Sequence, residues 1–304
     1  MSHVTEIAAL PFVSLPDELV TELDATGLGA HQVYDAVVRA LAEDLPGDDV
    51  TSWSTIPADD TATANLVTRR PGTVAGLGVA EVVFRHVIGE AVEVSRIAGD
   101  GDVVRPGDTV LRVTGPTALL LTAERTALNF IGHLSGVATA TAAWVAALDG
   151  TGARVRDTRK TIPGHRAMEK YAVRCGGGVN HRHSLSDMAL VKDNHVVAAG
   201  GVVAAWKLIR DRHPDVPVQV EVDNLDQVRE LLDAGVEHIL LDNMDPAGLT
   251  EAVAITDGRA ELEASGGLTL EVAAEIASTG VDYIAVGALT HSAMVLDIGM
   301  DLRS

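Results

Sequence analysis

A single cysteine, Cys175, stands in a chain of 304 residues. One thiol excludes an internal disulfide and any metal site built from several thiolates, and it suits a reducing compartment. Aromatic residues supply only 3% of the chain, which argues against the stacking platforms that hold single-stranded nucleic acid. No basic segment followed by an apolar core opens the chain, and no apolar run is expected to reach membrane-spanning length. The expectation is a cytoplasmic protein with neither a membrane nor a nucleic acid as partner. Cations are scarce as well: 23 Lys and Arg stand against 43 Asp and Glu, for a formal net charge of -20.

Those few cations are not spread evenly. Nine of the 23 fall between Arg154 and Lys192, namely Arg154, Arg156, Arg159, Lys160, Arg166, Lys170, Arg174, Arg182 and Lys192, with only Asp157, Glu169 and Asp187 to offset them. An acidic protein that gathers its cations in one stretch is building a pocket for a small, highly charged anion; a duplex or membrane binder spreads them over a surface. A solvated basic face is the alternative, but Gly and apolar residues interrupt this stretch. With 47% hydrophobic and 22% charged residues the chain is globular,. Its length allows two domains, or one barrel with an appendage.

Residues 1–15 read as a loosely ordered leader, followed by helical patterns over roughly 16–24 and 30–43. Short β-branched or alternating segments at Ala64–Thr68, Val92–Ile97 and Val110–Val113, with a helix over Ala80–Val87, predict an α+β domain,. Glu124–Leu148 is one long Ala-rich helix, apolar on most sides and therefore buried,. Beyond it the pattern becomes strand, loop, helix. The predicted strands are Arg154–Asp157, Met188–Val191, Val218–Val222, His238–Leu241, Glu261–Ala264 and Tyr283–Val286. The later ones recur at the period of a βα unit and imply a parallel sheet. The fold class is α/β: an irregular, incomplete (β/α) barrel over 129–290 with an N-terminal α+β sandwich-like domain over 1–128, on which the tail 291–304 is expected to pack.

In such barrels the chemistry sits at the C-terminal ends of the strands. Those ends carry Arg159 and Lys160, then Lys192, Glu221, Asp242, Ser265-Gly266-Gly267 and Gly287-Ala288, joined by His181 and Arg182. The Arg forks pair with carboxylates or phosphates in bidentate fashion, and Lys adds a movable point charge. Glu221 and Asp242 each end an apolar strand. They could bind sugar hydroxyls, hold a divalent metal, stabilise positive charge developing at an anomeric carbon, or merely cap the next helix. The two Gly turns present backbone N–H groups to a phosphate. His165, His183, His195 and His291 lack the spacing of a zinc site,.

Seven motifs stand in the order found in the quinolinate phosphoribosyltransferase family, which the chain resembles over nearly its whole length. They are Glu124–Asn129, Asp157–Thr161, Gly176–Arg182, Lys192–His195, Glu221–Asp223, Leu241–Asn243 and Ser265–Gly267. Ser184 departs from the pattern, where the family usually has Gly. The resemblance implies quinolinate and phosphoribosyl pyrophosphate as substrates, Mg2+ as cofactor, and a homodimer with shared sites or a higher oligomer. It implies that Arg125, Arg159, His181, Arg182 and Lys192 hold the quinolinate dicarboxylate, Arg125 from the neighbouring subunit. Lys160 would lie between the substrates, and Glu221 and Asp242 would hold ribose hydroxyls and the metal, directly or through water or substrate. Ser265, Gly266, Gly267, Gly287 and Ala288 would take the 5′-phosphate. Lys160, Glu221 and Asp242 are the expected catalytic residues. Competing readings are a phosphoribosyltransferase for another ring acid, a Schiff-base aldolase using Lys160 or Lys192, and a non-enzymatic anion-binding protein.

Overall fold

The computed structural model describes residues 7–303. Its helices in the first part of the chain are α1 (Asp17–Ala25), α2 (Ala30–Asp44), α3 (Ser52–Thr55), α4 (Leu77–Ile88), α5 (Thr117–Ala147) and α6 (Arg166–Cys175). Then come α7 (Asp193–Ala199), α8 (Val202–Arg212), α9 (Leu225–Asp233), α10 (Pro246–Thr256), α11 (Leu270–Ala277) and α12 (Ala288–His291). The strands are β1 (Thr61–Thr68), β2 (Gly72–Thr73), β3 (Glu93–Arg96), β4 (Val103–Val104), β5 (Thr109–Pro116) and β6 (Arg154–Arg156). They continue with β7 (Ala189–Val191), β8 (Val218–Val222), β9 (His238–Asp242), β10 (Glu261–Ser265), β11 (Tyr283–Ala285) and β12 (Ile298–Arg303).

The chain divides into two compact units. The first runs to Ala140, takes back Ile162–Gly177 and ends with the segment from Ser292; the second holds Thr141–Thr161 and Gly178–His291. This differs from a cut between 128 and 129, and local bonds give the reason. The backbone N–H groups of Thr73 and Ala75 donate to the hydroxyls of Thr139 and Ser135 at 2.8 and 3.0 Å, which keeps most of α5 in the first unit. The hydroxyl of Tyr171 on α6 donates to Asp100 at 2.6 Å.

In the first unit an antiparallel sheet has the order β12-β1-β5-β3. The end of the chain completes it, since Ile298–Arg303 pairs with Thr68–Thr63. Helix α4 is apolar nearly all round and buried except at Arg85, so it forms the centre of this unit,. Residues 7–15 are not a loose leader. The N–H groups of Ala8 and Leu10 donate to Val87 and His86 carbonyls at 3.0 and 3.1 Å. Leu10 and Leu15 are buried, and Phe12 stacks on His31. Apolar side chains spaced along this segment anchor it. Residues 1–6 lie outside the described residues.

Helix α5 starts earlier than Glu124, at Thr117. Contrary to the expectation that no apolar run is long enough, it has the length and composition of a membrane span, with 56% of its apolar window buried inside the protein. Leu120, Ala127, Ile131, Leu134 and Thr141 recur every three to seven residues on its buried stripe, the pattern of a core helix,. Arg125 lies on its exposed side.

The second unit is a six-stranded, all-parallel sheet of order β6-β11-β10-β9-β8-β7. That is the cyclic strand order of a (β/α) barrel opened between its first two strands. Local chemistry closes the helices that follow the strands. The Asn224 side chain accepts from Gln227 N–H to start α9, and Asp245 accepts from Gly248 N–H, with Pro246 in the first turn, to start α10,.

Candidate active site

Side chains alternate across a strand, so the registers of β7 to β11 place alternate residues on one face of the sheet. Gln219 pairs with His238, Glu221 with Leu240, Ser265 with Asp242, and Glu263 with Tyr283. One face therefore carries Gln219, Glu221, Asp242, Glu263 and Ser265. The other carries Val218, Val220, Val222, Ile239, Leu241, Leu262, Ala264 and Ile284, all buried. The polar face opens at the C-terminal strand ends into a cavity of about 780 Å³. Its walls include Arg159, Lys160, His181, Arg182, Lys192, Glu221, Asp242, Ser265, Gly266, Gly267, Gly287 and Ala288.

On the cationic side, Asp157 organises the backbone. Fully buried, it accepts from the His181 N–H at 2.8 Å and from Asn180 Nδ2 at 2.6 Å, tying the loop after β6 to the segment 180–182. The Arg182 guanidinium donates to the Met188 carbonyl at 2.9 Å. Burial, then the facing charge of Arg159, hold Arg182 below its ordinary pKa, with Asp187 opposing,. Two guanidinium groups lining one cavity suit a ligand with more than one negative charge,. His181 uses both ring nitrogens within the protein: Nδ1 accepts from the Arg182 N–H at 2.7 Å, and Nε2 lies 2.7 Å from Gln219 Oε1. Because a backbone amide only donates, the Nε2 atom carries the proton.

Ser184 does not disturb this loop. Its N–H and hydroxyl both donate to Asp187 Oδ1 at 2.9 Å, and the His183 N–H donates to Asp187 Oδ2 at 2.7 Å. Burial pushes the Asp187 carboxyl up, but these donors outweigh it and hold the group down to about 2,.

On the acidic side, Lys192 Nζ lies 2.8 Å from Glu221 Oε2. Glu221 and Asp242 are not helix caps, since Asn224 and Asp245 fill that role. In the cavity wall, buried Glu263 accepts from Arg156 at 2.7 Å and lies 3.5 Å from His181 Nε2. Arg156 in turn sits over the ring of Tyr283 at 3.4 Å,.

The glycines are where close approach demands them. A Cβ at Gly287 would lie 3.0 Å from the Lys160 stem, which passes over it, and the Thr290 hydroxyl donates to the Lys160 carbonyl at 2.8 Å. Gly266 has φ of +106° and Gly267 of +58°, a left-handed turn that brings the backbone itself to the cavity wall,.

Twelve of the thirteen predicted site residues thus line one cavity; the thirteenth, Arg125, belongs to the first unit. Gln219, Asn243, Glu263 and His291 had no expected site role, although Asn243, Glu263 and His291 line the cavity and Gln219 holds His181. Period-two alternation from Glu221 and Ser265 would have found Gln219 and Glu263. Among the described residues no group of three or more His, Cys, Asp and Glu side chains is placed to hold a metal.

Cations facing carboxylates and Gly turns around one rim define an α/β-barrel enzyme for small, multiply charged anions. Residues 49–135 match the N-terminal domain of quinolinate phosphoribosyl transferase and residues 137–301 its C-terminal domain. The nicotinate-nucleotide pyrophosphorylase (carboxylating) of Mycobacterium leprae is 51% identical over 88% of this chain and 96% of its own length. The crystal structure of NadC from Streptococcus pyogenes superposes with a TM-score of 0.87 at 40% identity, covering 90% of this chain and 97% of that one. Human nicotinic acid phosphoribosyltransferase, at 15% identity and a TM-score of 0.56 over 84% of this chain and 72% of that one, shares the fold alone. The chain belongs to the quinolinate phosphoribosyltransferase family.

Proposed function

We propose that this chain transfers the phosphoribosyl group of phosphoribosyl pyrophosphate to quinolinate with loss of CO2, giving nicotinate mononucleotide and pyrophosphate. The observation that carries the reading is the convergence of Arg159, Arg182 and Lys192 on one cavity, where burial and then the charge of Arg159 hold the partly buried Arg182 guanidinium below its ordinary pKa. A dicarboxylate neutralises both groups at once, while a monocarboxylate leaves part of the repulsion in place. Arg159, Arg182 and Lys192 hold the two carboxylates, with His181 behind them setting the backbone of Arg182. Lys160, beside Gly287, serves both anions. Glu221 and Asp242 take the ribose hydroxyls, and the turns at Ser265–Gly267 and Gly287–Ala288 take the 5′-phosphate.

The quinolinate nitrogen attacks the anomeric carbon as the bond to pyrophosphate breaks, and the leaving group keeps the electron pair. Glu221 and Asp242 stabilise the oxocarbenium character that develops there. The ring nitrogen is now cationic, so the carbon–carboxylate bond can break with its electrons left on the ring carbon, which then takes a proton. The main work of the protein is to hold two mutually repelling anions in reacting geometry. An aldolase reading suffers because Lys192 is ion-paired with Glu221 and Lys160 shares the cavity with two Arg residues.

Magnesium belongs to this proposal. It favours oxygen ligands, keeps several waters, and binds through one or two carboxylates plus substrate phosphates. Glu221 and Asp242 fit that donor set, in a site without a protein-only cage among the described residues. Bound there, the ion would neutralise the departing pyrophosphate. Also proposed are a cytoplasmic location and a homodimer in which Arg125 enters the neighbouring subunit's cavity. The test is turnover of purified protein with phosphoribosyl pyrophosphate and Mg2+, following CO2 and pyrophosphate. Quinolinate should exceed nicotinate in kcat/KM by roughly 100-fold or more, since nicotinate leaves cations of the cavity unmatched. Comparable values for the two acids would overturn the reading.

A further inference from the structure

Asn243 follows Asp242 and lines the same cavity. Its φ is 54°, in the left-handed region. Among the described residues only Ala9 and Asp257 are other non-glycine residues with positive φ, and Asp257 merely closes α10. A left-handed residue costs conformational energy and persists only where its surroundings hold it, which is why such residues concentrate at functional sites. Three contacts hold this one. Its Nδ2 donates to Asp242 Oδ2 at 2.6 Å. Its backbone N–H donates to the Ser265 carbonyl at 2.9 Å, bridging the ends of β9 and β10. A Cβ at Gly266 would lie only 2.1 Å from its Oδ1, so the Gly turn closes directly over the side chain.

Asn243 is thus wedged between two parts of the cavity with different tasks. One side chain orients the Asp242 carboxylate and fills the space under the Gly266 turn. We propose that Asn243 is a positioning residue that sets the span between the ribose-hydroxyl subsite at Asp242 and the 5′-phosphate subsite at Ser265–Gly267. The inference rests on the phosphoribosyl reading given above. It explains the conjunction of a left-handed Asn with a neighbouring Gly that has no room for a side chain. Asn also tolerates this backbone state better than most residues with a side chain, so the position can keep its amide without a prohibitive backbone cost.

Three proteins test it: the wild type, Asn243→Gly, which keeps the backbone conformation and loses the amide, and Asn243→Asp, which keeps the shape and replaces a donor by a carboxylate oxygen. The probes are steady-state kinetics and calorimetric binding of ribose 5-phosphate, which spans both subsites without chemistry. In Asn243→Gly the KM for phosphoribosyl pyrophosphate and the Kd for ribose 5-phosphate should each rise roughly 10- to 100-fold, the cost of a misplacement near 1 Å. The KM for quinolinate should stay within about threefold of wild type, because its cations lie on other strands. In Asn243→Asp the donor to Asp242 is lost while the shape is kept, so the Kd for ribose 5-phosphate and the KM for phosphoribosyl pyrophosphate should each rise roughly 10-fold or more, with the KM for quinolinate again within about threefold of wild type. If Asn243→Gly does not fold, the split between the two substrates in Asn243→Asp decides alone. Wild-type affinity for ribose 5-phosphate in the variants, or equal losses for both substrates, would overturn the inference. A wild type that binds ribose 5-phosphate yet does not turn over quinolinate would overturn the assigned reaction and leave the binding comparison to judge Asn243.

Discussion

Replacing Arg182 by Ala should separate ligand binding from folding, and the structure sets the sign of both effects. In the wild type the guanidinium donates to the Met188 carbonyl at 2.9 Å, and it is held down by burial and by Arg159. A base whose folded pKa is lowered is one whose charge the folded state disfavours. Without ligand, Arg182→Ala therefore loses one hydrogen bond and relieves one repulsion, and its melting temperature should be unchanged or slightly raised. With quinolinate the balance reverses. A hydrogen bond to a charged group is worth about 1.5–3 kcal/mol net, which at 1.4 kcal/mol per factor of ten is roughly 10- to 150-fold in affinity. The KM for quinolinate should rise by that factor, kcat should fall much less, and the melting shift produced by saturating quinolinate should shrink. Steady-state kinetics with phosphoribosyl pyrophosphate saturating, paired with thermal melts with and without quinolinate, reads all three. An unchanged KM accompanied by a large loss of kcat would refute the binding role. A melting temperature that collapses without ligand would refute the claim that Arg182 is held at a cost.

Glu221→Ala should lower kcat far more than it raises either KM, since its charge matters most as the anomeric carbon becomes positive; intact turnover at saturating substrates would contradict this. Asp187, held down to about 2, contributes stability that is full above the ordinary carboxylate range and lost as pH falls through about 2. Melting curves of wild type and Asp187→Asn should therefore differ at pH 7 and converge toward pH 2, and a pH-independent gap would show that the carboxylate charge is not responsible. Mixing Arg125→Ala with Arg182→Ala, assayed at quinolinate well below the KM of either variant where both turn over poorly, should restore part of the activity, because some hybrid dimers would carry both lesions in one cavity and none in the other. Subunit exchange seen by mass spectrometry with no recovered activity would place Arg125 in its own subunit's cavity.

The parts of this protein that were legible in the sequence are those whose cause is local. The parallel sheet could be read because each apolar strand of β8 to β11 is followed within a few residues by its own turn and helix, and a repeat of that period closes only one way. The rim could be read for the same reason: Lys192, Glu221, Asp242 and Ser265 each end or follow a strand, and strand ends of a parallel sheet face one side,. Only the tertiary structure decided what lies beneath and beside them. Alternation alone puts Gln219 and Glu263 on the face of Glu221 and Ser265, but only strand pairing sets them beside His181 and Arg156. The return of Ile298–Arg303 to pair with β1 joins residues more than 200 positions apart, a contact no local pattern encodes. The left-handed turn at Asn243 is likewise held by Ser265 and Gly266 on the next strand. Periodicity and turn chemistry act over a few residues and survive in a linear reading, whereas pairing partners, burial of charge and backbone strain exist only once distant segments meet.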